Sequence, residues 1–217
     1  MTRLGRAIEH TLLRASATPA DVEQLAREAI EHDFWGVCVN PLHAARARSL
    51  LRGSPVRVVC PVGFPLGASV PEVVAREAER ALADGADEID MVIPLGLALG
   101  GELDAVTGAV ATVRRAVGKQ VLKAILETGF FGRSALEAVA RAALAGGPDF
   151  LKTSTGFGPR GATVEDVELL VRWCSARARV KASGGIRTTR EAKALLAAGA
   201  TRLGTSAGVA IVAGETA

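Results

Sequence analysis

The chain has 217 residues, 49% of them hydrophobic, which is enough to bury a substantial core and fits one large domain, residues 1–217, better than two small ones. Its 26 basic and 23 acidic residues leave a net charge of +3, and they are interspersed with few aromatics, so a pI near 9.0 marks no nucleic-acid surface. Cys38, Cys60 and Cys174 are odd in number and lack Cys-x-x-Cys spacing, which argues against a disulfide framework or a zinc ribbon. No run approaches the roughly 18 to 20 apolar residues of a membrane span, and the opening residues lack a charged, apolar, small-residue signal. The expectation is a soluble cytoplasmic protein with neither membrane nor nucleic acid as partner.

Apolar runs occur in chain order at residues 7–11, 36–39, 56–62, 88–92, 121–126, 150–152, 180–182 and 202–204. Ala- and Leu-rich segments of helical spacing separate them, as where Val73, Val74, Glu77, Ala78 and Ala81 follow a first-turn Pro71. Glycines at 85, 146–147 and 199 close three of these helical stretches just before the next run, where a left-handed residue ends a helix. Eight such alternations predict a (β/α)8 TIM barrel, although a doubly wound open sheet shares the pattern. The polar residues favour the barrel. His10-Thr11, Asn40-Pro41, Gly63-Phe64, Asp90, Glu127-Thr128, Lys152-Thr153, residues 181–185 and residues 204–206 sit at or just past the runs, and a barrel gathers all of them at one mouth.

Lysine is scarce: of 26 basic residues only Lys119, Lys123, Lys152, Lys181 and Lys193 are Lys. Lys152 ends an apolar strand and opens the turn Thr153-Ser154-Thr155-Gly156, and Lys181 repeats the pattern before Ser183-Gly184-Gly185. An amine nucleophile must be neutral. Moving its pKa from about 10.4 to about 7 takes roughly 4 to 5 kcal/mol, of which a second ammonium about 5 to 6 Å away supplies about 3 kcal/mol and desolvation the rest. A lysine pair is therefore a sharper signal of nucleophilic catalysis than one buried lysine. Asp90, opposite in face to Ile89 and Met91, is an inward carboxylate able to relay protons or simply to neutralise Lys181 or Lys123. Lys123 alternates with Ile125 and Glu127, and reads equally as site electrostatics or as half of a buried Lys–Glu pair.

Ser183-Gly184-Gly185 and Gly204-Thr205-Ser206 end the last two runs, each ahead of a helical segment. Free backbone amides there favour an anion, and the loops after strands 7 and 8 are the frequent phosphate site of this barrel, so a phosphate-ester substrate is predicted.

The motifs at residues 150–157 and 180–187, with Glu88-Ile89-Asp90-Met91-Val92-Ile93, Val37-Cys38-Val39-Asn40-Pro41 and Ile8-Glu9-His10-Thr11-Leu12-Leu13, make the chain resemble the deoxyribose-phosphate aldolases from about residue 8 to 208. The resemblance implies a class I aldolase, without metal or cofactor, that reversibly cleaves 2-deoxy-D-ribose 5-phosphate to D-glyceraldehyde 3-phosphate and acetaldehyde in deoxynucleoside catabolism. It implies that Lys152 forms the Schiff base, that Lys181 lowers the pKa of Lys152, and that Lys181 and Asp90 relay protons. Gly156, Gly184, Gly185, Gly204, Ser206 and Arg187 match phosphate-binding positions, with Lys123, Thr153 and Cys38 in support. Cys38 reads more simply as a small buried apolar side chain. The expected partners are the phosphosugar, acetaldehyde and further copies of the chain in a homo-oligomer.

Three departures from the family pattern stand out. Glu9 replaces a usual Asp, and its extra methylene is expected to displace a carboxylate contact in the barrel mouth. Phe157 replaces a Lys found in some members. The chain contains no Tyr, so a step assisted by a tail tyrosine is expected to be absent or served by water. A different Schiff-base aldolase barrel and a phosphosugar-binding barrel without catalysis remain the rival readings.

Overall fold

A computed structural model describes residues 4–215. Eight strands, β1 (Ile8–Leu12), β2 (Gly36–Val39), β3 (Arg57–Val62), β4 (Glu88–Val92), β5 (Val121–Ile125), β6 (Phe150–Lys152), β7 (Arg179–Ser183) and β8 (Arg202–Thr205), close a barrel in sequence order. Every pairing is parallel, including that of β8 with β1. The fold is the expected TIM barrel. Expected and observed strands differ by a residue or so at their ends, where the barrel ladder sets the length of pairing.

The helices are α1 (Pro19–Glu31), α2 (Ala44–Leu50), α3 (Pro71–Ala83), α4 (Leu95–Leu99), α5 (Leu103–Val117), α6 (Arg133–Ala145), α7 (Val164–Cys174), α8 (Thr189–Ala197) and α9 (Gly208–Ala213). One follows each strand, with short α4 as an extra turn ahead of α5. Local chemistry explains the starts: Thr18 with Asp21 and Thr188 with Glu191 form reciprocal capping boxes for α1 and α8, and Pro71 opens α3. The buried stripe of α3 is Val74, Ala75, Ala78 and Ala81, while Val73 is exposed and Glu77 accepts a 2.7 Å hydrogen bond from the Gly63 amide. Positive φ falls at Gly85, Gly147 and Gly199, so in the Gly146-Gly147 pair the second glycine is the left-handed one.

Strand alternation then sorts the barrel into two regions. Ile89, Leu122, Leu151, Val180 and Leu203 are buried in the apolar core. Their neighbours point inward, and there the register is decisive: Asp90 is level with Lys123 on β4 and β5, and Lys152 is level with Lys181 on β6 and β7.

Candidate active site

A TIM barrel interior is ordinarily filled by branched apolar side chains. Here it holds Glu9, Glu88, Asp90, Lys123, Lys152, Lys181 and Arg202, none more than 5% exposed. Asp90 is the hub. Its Oδ1 accepts from Lys123 Nζ at 2.7 Å, and its Oδ2 accepts from Lys152 Nζ at 2.8 Å and Lys181 Nζ at 2.6 Å. Below it, Lys123 Nζ lies 2.6 Å from Glu88 Oε2 and 3.4 Å from Glu9 Oε1, and Glu9 Oε2 accepts from Lys181 Nζ. Arg202 stacks on the Trp35 ring at 3.7 Å, and Trp35 Nε1 donates to Glu88 Oε1 at 3.2 Å.

Charges removed from water are tolerated only when matched. Lys123, Lys181 and Arg202 balance Glu9, Glu88 and Asp90, and Lys152 is left over. The cluster is neutral when Lys152 carries no proton. Burial pulls the Lys152 ammonium below the usual lysine range, with Asp90 opposing and the Lys181 charge adding to the fall. Burial acts on Lys181 as well, but Asp90 and Glu9 outweigh it and hold that ammonium above its usual value. Lys123 is raised for the same reason by Asp90, Glu9 and Glu88. Burial alone would lift Asp90, yet Lys123, Lys152 and Lys181 keep its carboxyl well below the normal carboxylate range. Burial thus favours the free amine at Lys152, while the carboxylates favour the ammonium at Lys181 and Lys123.

Only Lys152 of this cluster reaches the cavity of about 410 Å³ at the mouth; Asp90 and Lys181 lie behind it. The same cavity is lined by Gly156, Gly184, Gly185, Gly204, Ser206 and Arg187, so the residues read as phosphate-binding surround the space above Lys152. Gly184 has φ +89, and a Cβ there would lie 3.1 Å from Gly161 Cα and 3.4 Å from Ser154 Cβ, so the loops after β6 and β7 touch backbone to backbone. The anion donors differ in detail from the sequence expectation. Glu191 Oε2 already accepts the amides of Arg187 at 2.8 Å and Thr188 at 3.0 Å, so the start of α8 is capped, which leaves to an anion the Arg187 guanidinium and the loop ahead of it.

The supporting residues sort differently. Thr153 Oγ1 donates to Ser183 O at 3.1 Å and accepts from Ser183 N at 3.0 Å, tying the end of β6 to β7. Cys38 is buried on β2, where desolvation pushes its thiol up to about 11 against the pull of Lys181. Lys123 contacts Asp90 and pairs with glutamates. Those are Glu88 and Glu9, because β5 ends at Ile125 and Glu127 turns to a left-handed φ of +53, leaving the strand alternation. The Glu9 carboxylate makes its contacts beneath the mouth, fully buried, with Lys181 and Lys123. Phe157 is 58% exposed and packs edge-on against Phe64 at 5.4 Å. The expectation about the chain's last residues falls partly on 216–217, outside the described residues.

Sequence reasoning did not find the inward roles of Glu88 and Arg202 or the place of Arg14 on the cavity wall. Glu88 was within reach, two residues before Asp90 on the same strand face. Arg202 was hidden among many arginines.

The DeoC/LacD family aldolase profile matches residues 6–214. The chain is 55% identical over 212 residues to the deoxyribose-phosphate aldolase of Thermus thermophilus, covering 98% of this chain and 96% of that one. It is 52% identical over 211 residues to that of Deinococcus radiodurans, covering 97% and 96%. Among solved structures, the tetrameric deoxyribose phosphate aldolase of Aeropyrum pernix superposes with a TM-score of 0.92 at 32% identity, over 99% of this chain and 91% of that one.

Proposed function

Because the chain belongs to the DeoC/LacD aldolase family, we propose that it is a class I deoxyribose-phosphate aldolase in which Lys152 is the nucleophile. It cleaves 2-deoxy-D-ribose 5-phosphate reversibly to D-glyceraldehyde 3-phosphate and acetaldehyde, a step of deoxynucleoside catabolism. The observation that carries the assignment of Lys152 is its position as the unmatched base of a buried charge cluster, facing the cavity and held at 2.8 Å by Asp90.

The neutral Lys152 amine attacks the aldehyde carbon of the open-chain sugar, and loss of water leaves a protonated imine. As the bond between C2 and C3 breaks, the C3 hydroxyl gives up its proton and becomes the aldehyde of glyceraldehyde 3-phosphate. The bonding electrons flow into the imine to form an enamine instead of an unstabilised carbanion. Protonation of the enamine carbon and hydrolysis release acetaldehyde and restore the amine. Asp90 and Lys181 hold and return the mobile proton, with a water linking them to the substrate, and Lys181 favours the neutral amine by its charge. Gly156, Gly184, Gly185, Gly204, Ser206 and Arg187 receive the phosphate, Lys123 fixes Asp90, and Thr153 and Cys38 shape the wall. No cofactor enters this scheme. Residues 1–217 act as one barrel domain, in a cytoplasmic homo-oligomer; among the described residues no helix is long and apolar enough to cross a membrane.

Borohydride reduction with the sugar phosphate or acetaldehyde, in EDTA, followed by peptide mapping, tests this reading. A reduced two-carbon adduct on Lys152 is expected. Ligand binding without an adduct on any lysine would remove Schiff-base chemistry from this site.

A further inference from the structure

Two guanidinium groups, Arg14 and Arg187, line the cavity with the Lys152 amine, and no carboxylate does. Lys152 lies 2% exposed, while both arginines are open to solvent, the Arg14 side chain at 52%. Barrel order relates the two. Arg14 follows β1 and Arg187 follows β7, and β8 is hydrogen-bonded to both strands. The segment Gly204-Thr205-Ser206 therefore lies between the two turns that carry Arg14 and Arg187, and all three border the same cavity.

Arg14 is oriented. Ala17 N donates to Arg14 O at 3.1 Å, and Asn40 Nδ2 donates to the Leu13 carbonyl at 3.3 Å, which holds the turn after β1. Asp21 Oδ2 accepts the amide and hydroxyl of Thr18 at 2.7 Å each, capping α1, while its Oδ1 lies 2.6 Å from Arg14 Nη2. One fixed carboxylate thus caps the helix and aims the guanidinium. Arginine has five N–H donors in a planar fork. The contact with Asp21 engages Nη2, and among the described residues no hydrogen bond from Nε or Nη1 is formed. On the other side, the Arg187 guanidinium makes no ion pair among the described residues.

We propose that Arg14 is a specificity-determining residue that, with Arg187, brackets the substrate's phosphate dianion across the β8 loop. This rests on reading the substrate as a phosphate ester. A half-exposed Arg–Asp pair with no further role contributes little and would not separate phosphorylated from unphosphorylated sugar. A guanidinium that donates to the phosphate does separate them.

The test uses full-length Arg14→Gln and Arg14→Lys, each first checked by thermal unfolding. Two readouts are taken: steady-state kinetics on 2-deoxyribose 5-phosphate and on 2-deoxyribose, and calorimetric binding of inorganic phosphate. Arg14→Gln is expected to raise KM for the phosphorylated sugar roughly tenfold, with kcat within about twofold, and to weaken inorganic phosphate by a similar factor, as loss of one charge-assisted hydrogen bond requires. Arg14→Lys, which keeps the charge and loses the fork, is expected to fall between. Unchanged KM and phosphate affinity in Arg14→Gln would overturn the proposal, and so would an equal loss of kcat/KM on both sugars. Should the wild-type chain cleave neither sugar, the aldolase reading falls separately, and phosphate affinity in Arg14→Gln still decides for or against Arg14.

Discussion

Lys152 and Lys181 share a single oxygen of Asp90, Oδ2, at 2.8 and 2.6 Å. Their nitrogens can be no further apart than the sum of those contacts, and the register of β6 and β7 sets the two lysines side by side. Two identical side chains at one oxygen are then driven in opposite directions. Lys181 has Glu9 as a second carboxylate and stays charged; Lys152 has only Asp90 and the cavity, and burial favours the free amine.

Lys181→Leu removes the neighbouring cation and leaves Asp90 Oδ2 to Lys152 alone. Both changes favour the Lys152 ammonium, so the acid limb of the kcat/KM profile should move to higher pH, with a rate loss of roughly 10²-fold or more at neutral pH. Rates across pH 5 to 10 check this. A lower rate on an unmoved limb would show that Lys181 transfers protons without tuning Lys152.

Gly204 lines the cavity, but its missing side chain also serves the lysine beneath it. A Cβ at this position would lie 3.0 Å from Ser183 Cβ and 3.1 Å from Lys181 Cε. Gly204→Ala should push Lys181 from Asp90, costing about 1 to 3 kcal/mol of stability and lowering kcat, with the acid limb displaced in the direction of Lys181→Leu. An effect on KM for the phosphorylated sugar alone would assign Gly204 to phosphate binding only.

Glu127 holds the loop that follows the nucleophile. Its Oε2 accepts the amide of Thr155 at 3.1 Å and the Thr155 hydroxyl, while a Cβ on Gly158 would lie 2.5 Å from its Cδ. Glu127→Ala strands buried donors and should destabilise the protein by about 1 to 3 kcal/mol, measured by urea unfolding. It should also raise KM, because Thr155 and Gly156 line the cavity. Glu127→Gln keeps an acceptor and should recover most of both.

Glu9 and Asp90 should set the acid edge of stability. Both have folded-state pKa values below their ordinary ones: burial raises each, and the buried cations outweigh it, Lys123 and Lys181 for Glu9, joined by Lys152 for Asp90. A depressed carboxylate contributes stability in full above its unfolded pKa, about 4, and loses it as pH falls through the folded value. The unfolding free energy should therefore hold its Glu9 and Asp90 contribution near pH 7 and shed it below about pH 4. Glu9→Gln should be weaker than wild type by about 3 to 5 kcal/mol at pH 7, because Lys181 loses a buried partner. That gap should narrow at pH 3, and a constant gap would mean that Glu9 is not paired in solution.

The barrel was legible because its evidence is local. Apolar strand runs, a first-turn proline such as Pro71, and glycines at helix ends are read within a few residues of one another. The same holds for the two site lysines: each stands at or just before the end of its own run, ahead of a turn that identifies it. Glu127 shows where local reading stops, since its alternation with Lys123 and Ile125 suggested a strand position that the left-handed turn removes. Arg14 and Arg202 carried no local mark in a chain where most basic residues are arginine.

The sequence by itself determined the alternation of elements, the inward face of Asp90, and the pair of lysines with Asp90 as candidates for one site. Only the tertiary structure showed which lysine meets one carboxylate and which meets two. That difference arises inside the closed barrel. Those carboxylates come from β1 and β4, far along the chain from Lys152 and Lys181, and Glu9 comes beside Lys181 through the closure of β8 on β1.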